Sequence, residues 1–377
     1  MYELRVLSSS DAVAKVADDW FDLVRGTPYE VFSSPAWYSA YQSAKGIQKV
    51  ALVCAYKSGS LVGILPLNRQ RADYKGLYLS SVTPYAIGDY QPLIVREELA
   101  TEVLPLLLDE ARKYFGPSST FWWPFVPEQH ASLAVLRSYY QDVGMNVFEV
   151  EETAPKIHVK GKTFEEVERT WSANYRNDTR KKRRRLAEVG PVTLWQPSTL
   201  EEADALLTEF FPVHDEKWLS QGYPGKFQSK SERDLFREML RHLWGRGLHF
   251  TTVRCGDVNV SYHFGFLAGG WIQWYRPGYR SDYFKYSPGK IHVAMLLEEA
   301  CQTGLNGFDF LLGEESYKLL MSDSSQKVVS LWASASAHSP SYWWPTTGKL
   351  YLQRHYMQHF TRLQTMLQKA KGAGKSD

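Results

Sequence analysis

Cysteine is scarce in this sequence. Only Cys54, Cys255 and Cys301 occur in 377 residues, and their spacing matches no metal-ligand pattern. An odd number in a chain of this length argues against a disulfide framework, and the composition suits a reducing compartment. The sequence therefore predicts neither a structural metal site nor a scaffold held together by disulfides.

Long apolar runs are also missing. No stretch approaches the roughly 20 apolar residues that a membrane-spanning helix needs. The first residues, MYELRVLSSSDAVAKV, do not place a basic region before an apolar one, as a secretory signal would. We expect a cytoplasmic protein with no membrane insertion, existing as a monomer or a homodimer.

Aromatic residues, by contrast, are plentiful. They make up 14% of the chain, including 13 tryptophans. Such side chains fill hydrophobic cores and also bind flat or sugar-like ligands, and composition leaves both uses open. The length exceeds the usual size of one core, so two domains are expected.

Positive charge is concentrated in one segment. Residues 176–185 hold seven Lys/Arg and one Asp, a net of +6 in a chain whose total is +3, so the remainder is acidic. Ser172 is placed to cap a helix through this segment. The helix is interpreted either as a phosphate grip or as a solvated basic face. A nucleic-acid surface would need a wider basic area, which argues against DNA as a partner.

Two stretches of the chain share the same order of elements. Strands joined by Lys57-Ser58-Gly59-Ser60 are matched by strands joined through Cys255-Gly256-Asp257, and each pair precedes a strand, a Pro/Gly loop, a helix and another strand. We interpret this as duplication of an α/β unit, the alternative being two unrelated α/β domains. The predicted domains are 1–155 and 156–340, with 341–377 as an amphipathic helix and tail that packs on the body or on a partner subunit.

The most informative stretch runs from residue 271 to residue 318. An aromatic strand is followed by Ser287-Pro288-Gly289-Lys290, an apolar helix, and the strand-like Gly307-Phe308-Asp309-Phe310-Leu311. A loop of this kind before a helix presents free N–H groups to an anion. It predicts a cradle for a pyrophosphate.

Two polar side chains stand out in apolar surroundings. His214 and Trp218 lie four residues apart on one helix face, either as a ligand platform or as a half-buried structural pair. Asp309 is costly to bury unless it is paired, so a ligand amine or a salt bridge to Lys318 is expected.

The motifs taken together carry a family resemblance. HDEKW (214–218), GDVNVSYHFGF (256–266), YSPGK (286–290) and GFDFLLGEESYK (307–318) follow a basic helix, SANYRNDTRKKRRRL. In that order they resemble the CelD-like branch of the GNAT acyltransferase superfamily, which is related to the Fem aminoacyltransferases. The resemblance implies two tandem GNAT-like domains, each a mixed α/β sheet flanked by helices. It also implies that the first domain is degenerate and that catalysis occurs in the second.

What the resemblance implies chemically is acyl transfer from acyl-coenzyme A, with no metal, to an amine that attacks directly. The donor would bind between the central strand and the loop after it, at Gln273, Trp274, Tyr275, Tyr286, Ser287, Pro288, Gly289 and Lys290. The usual superfamily motif of alternating glycines is replaced by Tyr-Ser-Pro-Gly-Lys, so the phosphate-binding N–H groups are not identified.

The reaction itself requires particular groups. The amine must lose a proton, the oxyanion needs donors, and the thiolate needs a proton or stabilisation. Backbone N–H groups near residues 273–275 are candidate oxyanion donors, and His263 or His214 is the candidate base. Tyr275 or Tyr286 is the candidate acid, and Asp309 completes the set of candidate catalytic residues.

The acceptor is a further expectation. Tandem members of the branch include enzymes acting on nucleotide-linked amino sugars, as in polysaccharide biosynthesis, and this chain resembles them in length and layout. The residues expected to bind it are Arg176, Arg180, Arg184, His214, Lys217, Trp218, Asp309, Tyr317 and Lys318. The alternatives are a Fem-like transferase that uses aminoacyl-tRNA, and a non-catalytic module that binds acyl-CoA or nucleotides.

Overall fold

The computed structural model describes residues 1–74, 77–220, 225–313 and 315–343, leaving out the side chains of 72–74, 77, 78, 217, 218 and 220. Predictions for the side chains of Lys217 and Trp218, and for the tail beyond residue 343, lie outside the described part. The strands are β1 Tyr2–Leu7, β2 Ala51–Lys57, β3 Ser60–Tyr74, β4 Leu77–Pro84, β5 Ile94–Val95, β6 Thr120–Pro127, β7 Asn146–His158, β8 Val192–Trp195, β9 Leu248–Cys255, β10 Val258–Ala268, β11 Trp271–Tyr279, β12 Gly307–Asp309 and β13 Ser324–Ser334.

Helices cover both faces of these strands. They are α1 Ala12–Lys15, α2 Ala17–Val24, α3 Glu30–Ser33, α4 Pro35–Lys45, α5 Ala100–Phe115, α6 Ala131–Asp142, α7 Phe164–Arg169, α8 Ala173–Ala187, α9 Leu200–Ser220, α10 Lys230–Leu243, α11 Pro288–Gln302, α12 Ser316–Met321 and α13 Pro340–Trp343. Short 3₁₀ turns occupy Glu97–Leu99, Lys226–Gln228 and Ser281–Tyr286. Within the described ranges, no helix is both long and apolar enough to cross a bilayer.

All the described strands join one mixed sheet, in the order β1-β2-β3-β4-β6-β13-β7-β12-β11-β10-β9-β8, with β5 added beside β3. The pairs β4–β6 and β11–β12 are parallel, and the other neighbours are antiparallel. A mixed α/β architecture was predicted from the sequence, and this is confirmed.

The sheet has an internal repeat. Four antiparallel strands, β1 to β4, lead to the parallel strand β6, and β8 to β11 lead in the same way to β12. The last strand of each repeat crosses over: β13 pairs with β6 of the first half, and β7 pairs with β12 of the second. The halves therefore exchange their final strands. The predicted boundary between residues 155 and 156 lies within β7.

The two hairpins follow from their turns. Ser58 and Gly59 have φ of 52° and 83°, and this positive-φ pair joins β2 to β3. Two left-handed residues in succession match the twist of the flanking strands. In the second half, Gly256 has φ of 59° and the turn places Cys255 opposite Val258. Both hairpins confirm the predictions from sequence.

Capping explains where two of the helices begin. The hydroxyl of Ser34 accepts a hydrogen bond from the N–H of Trp37 at 3.2 Å, with Pro35 in the first turn of α4. The hydroxyl of Ser172 caps α8 through the N–H of Tyr175 at 3.3 Å. Near the start of the chain, α1 and α2 are separated at Val16, where the backbone leaves the helical range.

Much of the aromatic content is buried between the two halves. The rings of Phe32 and Trp37 from the first half contact Phe266 of the second at centroid distances of 5.5 and 5.9 Å. Both also contact Tyr275 of β11. One hydrophobic core therefore spans the repeat, which fixes the first half against the central strand of the second.

Candidate functional site

The strands β11 and β12 separate after three residues. Trp271, Ile272 and Gln273 pair with Gly307, Phe308 and Asp309, and the pairing ends there. Beyond that point the sheet is open between the two strands. A gap of this kind exposes backbone groups of both strands to a ligand.

A β-bulge lies at the start of the opening. Phe264 is opposite Arg276 while Phe266 is opposite Gln273, so β11 carries one more residue than β10 in this interval. A bulge leaves its extra residue outside the hydrogen-bond ladder and re-aims the side chains that follow. Trp274 packs against Phe308 on one face of the sheet, whereas Tyr275 packs on the other.

A cavity of about 690 Å³ passes through this opening. One side is built by α8, α11 and α12, and the other by α9, the segment after it, and a loop of the first half. The lining residues are Asp89, Tyr175, Val213, His214, Lys226, Trp274, Tyr275, Arg276, Pro277, Gly278, Tyr279, Phe284, Ser287, Pro288, Gly289, Lys290, Phe310, Leu312, Glu315, Tyr317 and Lys318.

The loop before α11 lines one side of the cavity. Ser287 adopts φ of 53°, a left-handed conformation that costs a serine energy. Its carbonyl accepts the N–H groups of Lys290 at 3.0 Å and Ile291 at 3.3 Å, and Pro288 has no N–H. The N–H of Gly289 is therefore the group in this first turn that is left for a ligand.

The Lys290 side chain is held toward α8. Its ammonium lies 2.7 Å from the carboxylate of Asp178 and 4.1 Å from the ring centroid of Tyr175. These contacts compensate its charge, so the side chain acts as part of the wall. The Tyr175 hydroxyl is buried with no partner among the described residues, which leaves it available to a ligand.

Tyr317 lies on the same side. Its hydroxyl accepts a hydrogen bond from the Trp274 indole at 3.2 Å, and burial raises the pKa of Tyr317 to about 12. Lys318, next along α12, donates to the carbonyl of Leu312 at 2.7 Å and pairs with Glu315 at 2.8 Å. Both predicted acceptor residues thus line the cavity, on the side of the α11 loop.

His214 lines the opposite side. Its Nδ1 lies 3.3 Å from a carboxylate oxygen of Asp215, which also accepts the N–H of Phe227. Burial lowers the pKa of His214, and Asp215 opposes that shift. The imidazole is therefore neutral near pH 7, which is the form that accepts a proton.

Asp89 is a cavity residue that the sequence reasoning missed. It belongs to the loop between β4 and β5 in the first half and accepts the N–H of Leu312 at 3.3 Å. Burial raises the pKa of its carboxyl, with the nearby charge of Arg276 acting in the opposite direction. Its loop is rich in Pro and Gly, but only the packing of the halves reveals where it reaches.

Asp309 lies outside the cavity lining and is fully buried. The expected salt bridge to Lys318 was wrong: the partner is Lys156 on β7, at 3.0 Å. Tyr90 donates to the same carboxylate at 2.9 Å, and the N–H of Leu311 donates at 2.8 Å. Asp309 therefore fixes a strand of the second half to a strand and a loop of the first.

Three other predicted site residues lie away from the lining. His263 is fully buried, with Nε2 3.0 Å from the carbonyl of Gln273, and burial lowers the pKa of its imidazole far below the usual range. The Gln273 side chain donates to the carbonyl of Pro28 at 2.7 Å. Tyr286 packs beside Tyr283. Of the predicted donor residues, the structure brings Trp274, Tyr275 and Ser287 to Lys290 together around one cavity.

The arginines of α8 make local contacts. Arg176 donates to the carbonyl of Trp171 at 3.3 Å, Arg180 pairs with Glu168, and Arg184 is exposed. None of them is among the residues that line the cavity. Their predicted role in binding the acceptor stays a prediction.

The parallel strand pair that opens after a bulge, together with the loop and the helix that follow, lies in a part of the chain that matches a known family. Residues 173–319 match the family described as acetyltransferase (GNAT) domain. The GNAT resemblance predicted from the sequence motifs is thus supported for this part of the chain.

Solved structures agree with the fold. FemX is similar at a TM-score of 0.60 and 11% identity, over 84% of this chain and 95% of that chain. A DUF2156 domain from Agrobacterium fabrum is similar at a TM-score of 0.55 and 9% identity, over 90% of this chain and 97% of that chain. A conserved protein of unknown function from Bacteroides thetaiotaomicron is similar at a TM-score of 0.50 and 12% identity, over 87% of this chain and 99% of that chain. Curated protein sequences yield no significant match.

Proposed function

We propose that this chain is an acyl-CoA-dependent N-acyltransferase that moves the acyl group directly to the amine of a nucleotide-linked amino sugar. The observation that carries the proposal is the cavity that passes through the opening between β11 and β12. A donor on the α11 side and an acceptor on the Asp89 side would meet at the bulge. Direct transfer needs this arrangement, in which both reactants reach one point without a covalent enzyme intermediate.

Two polar groups on the donor side support coenzyme A as the donor. The strained loop at Ser287 presents the N–H of Gly289 at the start of α11, where the helix dipole favours a phosphate. The unpartnered hydroxyl of Tyr175 adds a further hydrogen-bond donor.

The reacting atoms would be served by groups around the bulge. Asp89 is our candidate base. Burial raises the pKa of its carboxyl, and a carboxylate with a raised pKa is better able to accept a proton from an ammonium. His214, neutral and lining the same side, is the alternative. Backbone N–H groups of the bulge near Trp274 and Tyr275 are our candidates for stabilising the oxyanion.

The departing thiolate has tyrosines nearby. Burial raises the pKa of Tyr275 to about 12 and that of Tyr317 to about 12, so both carry their proton at neutral pH. Tyr175 and Tyr317 lie on the donor side of the cavity, and Tyr275 is on the opposite face. A tyrosine on the donor side is the better candidate acid for the sulfur.

The test is thiol release. Purified full-length protein is incubated with acetyl-CoA or a longer acyl-CoA and a panel of nucleotide-linked amino sugars, and free coenzyme A is followed with a thiol reagent. Coenzyme A binding is measured separately by calorimetry. The proposal requires acceptor-dependent release; coenzyme A binding without release from any pair would support the non-catalytic module instead.

Aminoacyl-tRNA is a second candidate donor because of one observation on α8. Lys181, Arg184 and Arg185 are exposed there and have no ion-pair partner among the described residues. A phosphate backbone would neutralise such side chains. Binding to tRNA that weakens steeply with salt, together with no binding of coenzyme A, would favour this function over the first.

A further inference from the structure

The cavity has four Lys and Arg side chains in its lining, and three of them are already in ion pairs. Lys226 lies 3.1 Å from Glu232, Lys290 lies 2.7 Å from Asp178, and Lys318 lies 2.8 Å from Glu315. The fourth is Arg276. Among the residues that the structure describes, no carboxylate oxygen lies within 4.0 Å of its guanidinium.

Arg276 is nevertheless held in place. Its Nη1 donates to the carbonyl of Tyr275 at 2.9 Å, and the guanidinium lies 4.1 Å from the centroid of the Tyr275 ring. These contacts use one N–H of the five that a guanidinium offers. A half-buried arginine fixed by stacking, with most of its donors left over, is suited to bind a planar or tetrahedral anion.

The nearby carboxylates do not take this role. Glu232 is bound by Lys45 at 2.5 Å as well as by Lys226. Asp89 accepts the N–H of Leu312, and it interacts with Arg276 only at longer range. Within the described part of the chain, Arg276 therefore has no carboxylate at ion-pair distance, and an anionic ligand would supply one.

The position of Arg276 indicates that its ligand is the acceptor rather than the acyl donor. The guanidinium of Arg276 stacks on Tyr275, which packs on the face of the sheet opposite to Trp274, so Arg276 lies on the Asp89 side of the cavity rather than on the proposed donor side. The Asp89 carboxylate, which can accept a proton from an ammonium, and the Arg276 guanidinium, which can bind an anion, thus lie on the same side of the cavity.

We propose that Arg276 binds an anionic group, a phosphate or a carboxylate, of the acceptor, so that the acceptor is an anionic amine and neutral amino sugars are poor substrates. This rests on the acyltransferase function proposed above. Arg276 then acts as a specificity-determining residue, and the proton transfer is left to other groups.

The experiment compares four acceptors in the thiol-release assay: a neutral amino sugar, an amino-sugar 1-phosphate, a nucleotide-linked amino sugar and an α-amino acid. The wild-type protein is expected to show a KM for at least one anionic acceptor about 10- to 100-fold below that for the neutral sugar. Arg276→Gln should remove this difference by raising the KM of the anionic acceptor alone, with little change in kcat. Arg276→Lys should keep part of it, because lysine supplies the charge but not the fork.

Arg280→Gln is the matched control, since Arg280 follows β11 and pairs with Asp282 at the surface. It should behave as the wild type. If Arg276 binds a phosphate, Arg276→Gln should raise the KM of the phosphate-bearing acceptors. If it binds a carboxylate, the variant should raise the KM of the amino acid. Thermal unfolding and coenzyme A affinity, both expected to be unchanged, report on folding and on the donor side.

Three results would overturn the assignment: equal KM values for neutral and anionic amines in the wild type, an equal loss for both in Arg276→Gln, or a loss of coenzyme A affinity in that variant. If no amine gives thiol release, the acyltransferase proposal fails separately. Direct calorimetric binding of the nucleotide-linked amino sugar to the wild type and to Arg276→Gln then decides the role of Arg276.

Discussion

Asp89 is a residue of the first half that serves the cavity of the second. It is held by a backbone N–H of the segment that follows β12, so its position depends on how the halves pack. Burial has opposing effects on the two candidate bases: it raises the pKa of the Asp89 carboxyl and lowers the pKa of His214. Each shift favours the uncharged form of its group.

Asp89→Asn is expected to lower kcat by about 100- to 10,000-fold, the range for removal of a general base. In the wild type, kcat should rise with pH through the Asp89 pKa, because the base must be ionised. This rise should occur above the pH expected of an ordinary aspartate, since burial raises that pKa. A pH profile of kcat for both proteins measures this, and the rise of kcat with pH should be absent in Asp89→Asn.

The control is Asp282→Asn, an exposed carboxylate in an ion pair with Arg280. It should leave the profile unchanged. Coenzyme A affinity should be the same in all three proteins. A wild-type kcat in Asp89→Asn would exclude Asp89 as the base and direct attention to His214.

At the level of elements, the start of α11 combines backbone strain with the proposed contact to the donor. Ser287 occupies the N-cap position in a left-handed conformation and makes no capping bond with its side chain. Non-glycine residues pay about 1–2 kcal/mol for this conformation. Such strain is maintained where the backbone must present a group in a fixed direction, here the N–H of Gly289.

Ser287→Gly should therefore retain coenzyme A affinity and unfold at the same or a slightly higher temperature. Ser287→Val, a β-branched residue in the same place, should lower the free energy of unfolding by about 1–3 kcal/mol and weaken coenzyme A binding. Calorimetry and thermal unfolding of the pair give both values. Weaker binding in Ser287→Gly would instead assign the hydroxyl a direct contact with the donor.

Elements set by local chemistry were predictable from the sequence. The Ser34 and Ser172 caps, the Ser58-Gly59 turn and the loop before α11 are each specified by neighbouring residues. The proposed role of this loop in binding the donor stays a prediction. The partner of Asp309 was not, because Lys156 is distant in sequence and belongs to the other half.

At the scale of the whole molecule, the exchange of β7 and β13 joins the halves. The exchange could not be predicted from the sequences of β7 and β13, because the residue pattern of a strand does not identify a pairing partner that is distant in the chain. β7 supplies the neighbour of β12, and Lys156 on it neutralises the buried Asp309. An uncompensated buried charge costs about 3–5 kcal/mol when its partner is removed.

The exchange predicts that neither half folds alone. A cut after Lys160, before a turn at Gly161 with φ of 74°, gives fragments 1–160 and 161–377. The second lacks β7 and leaves Asp309 without Lys156; the first lacks β13 beside β6. Each alone should unfold without a cooperative transition. Mixed or co-expressed, they should form a 1:1 complex that binds coenzyme A, measured by light scattering and calorimetry. A second fragment that unfolds cooperatively and binds coenzyme A by itself would contradict this, because the donor cavity would then need no strand from the first half.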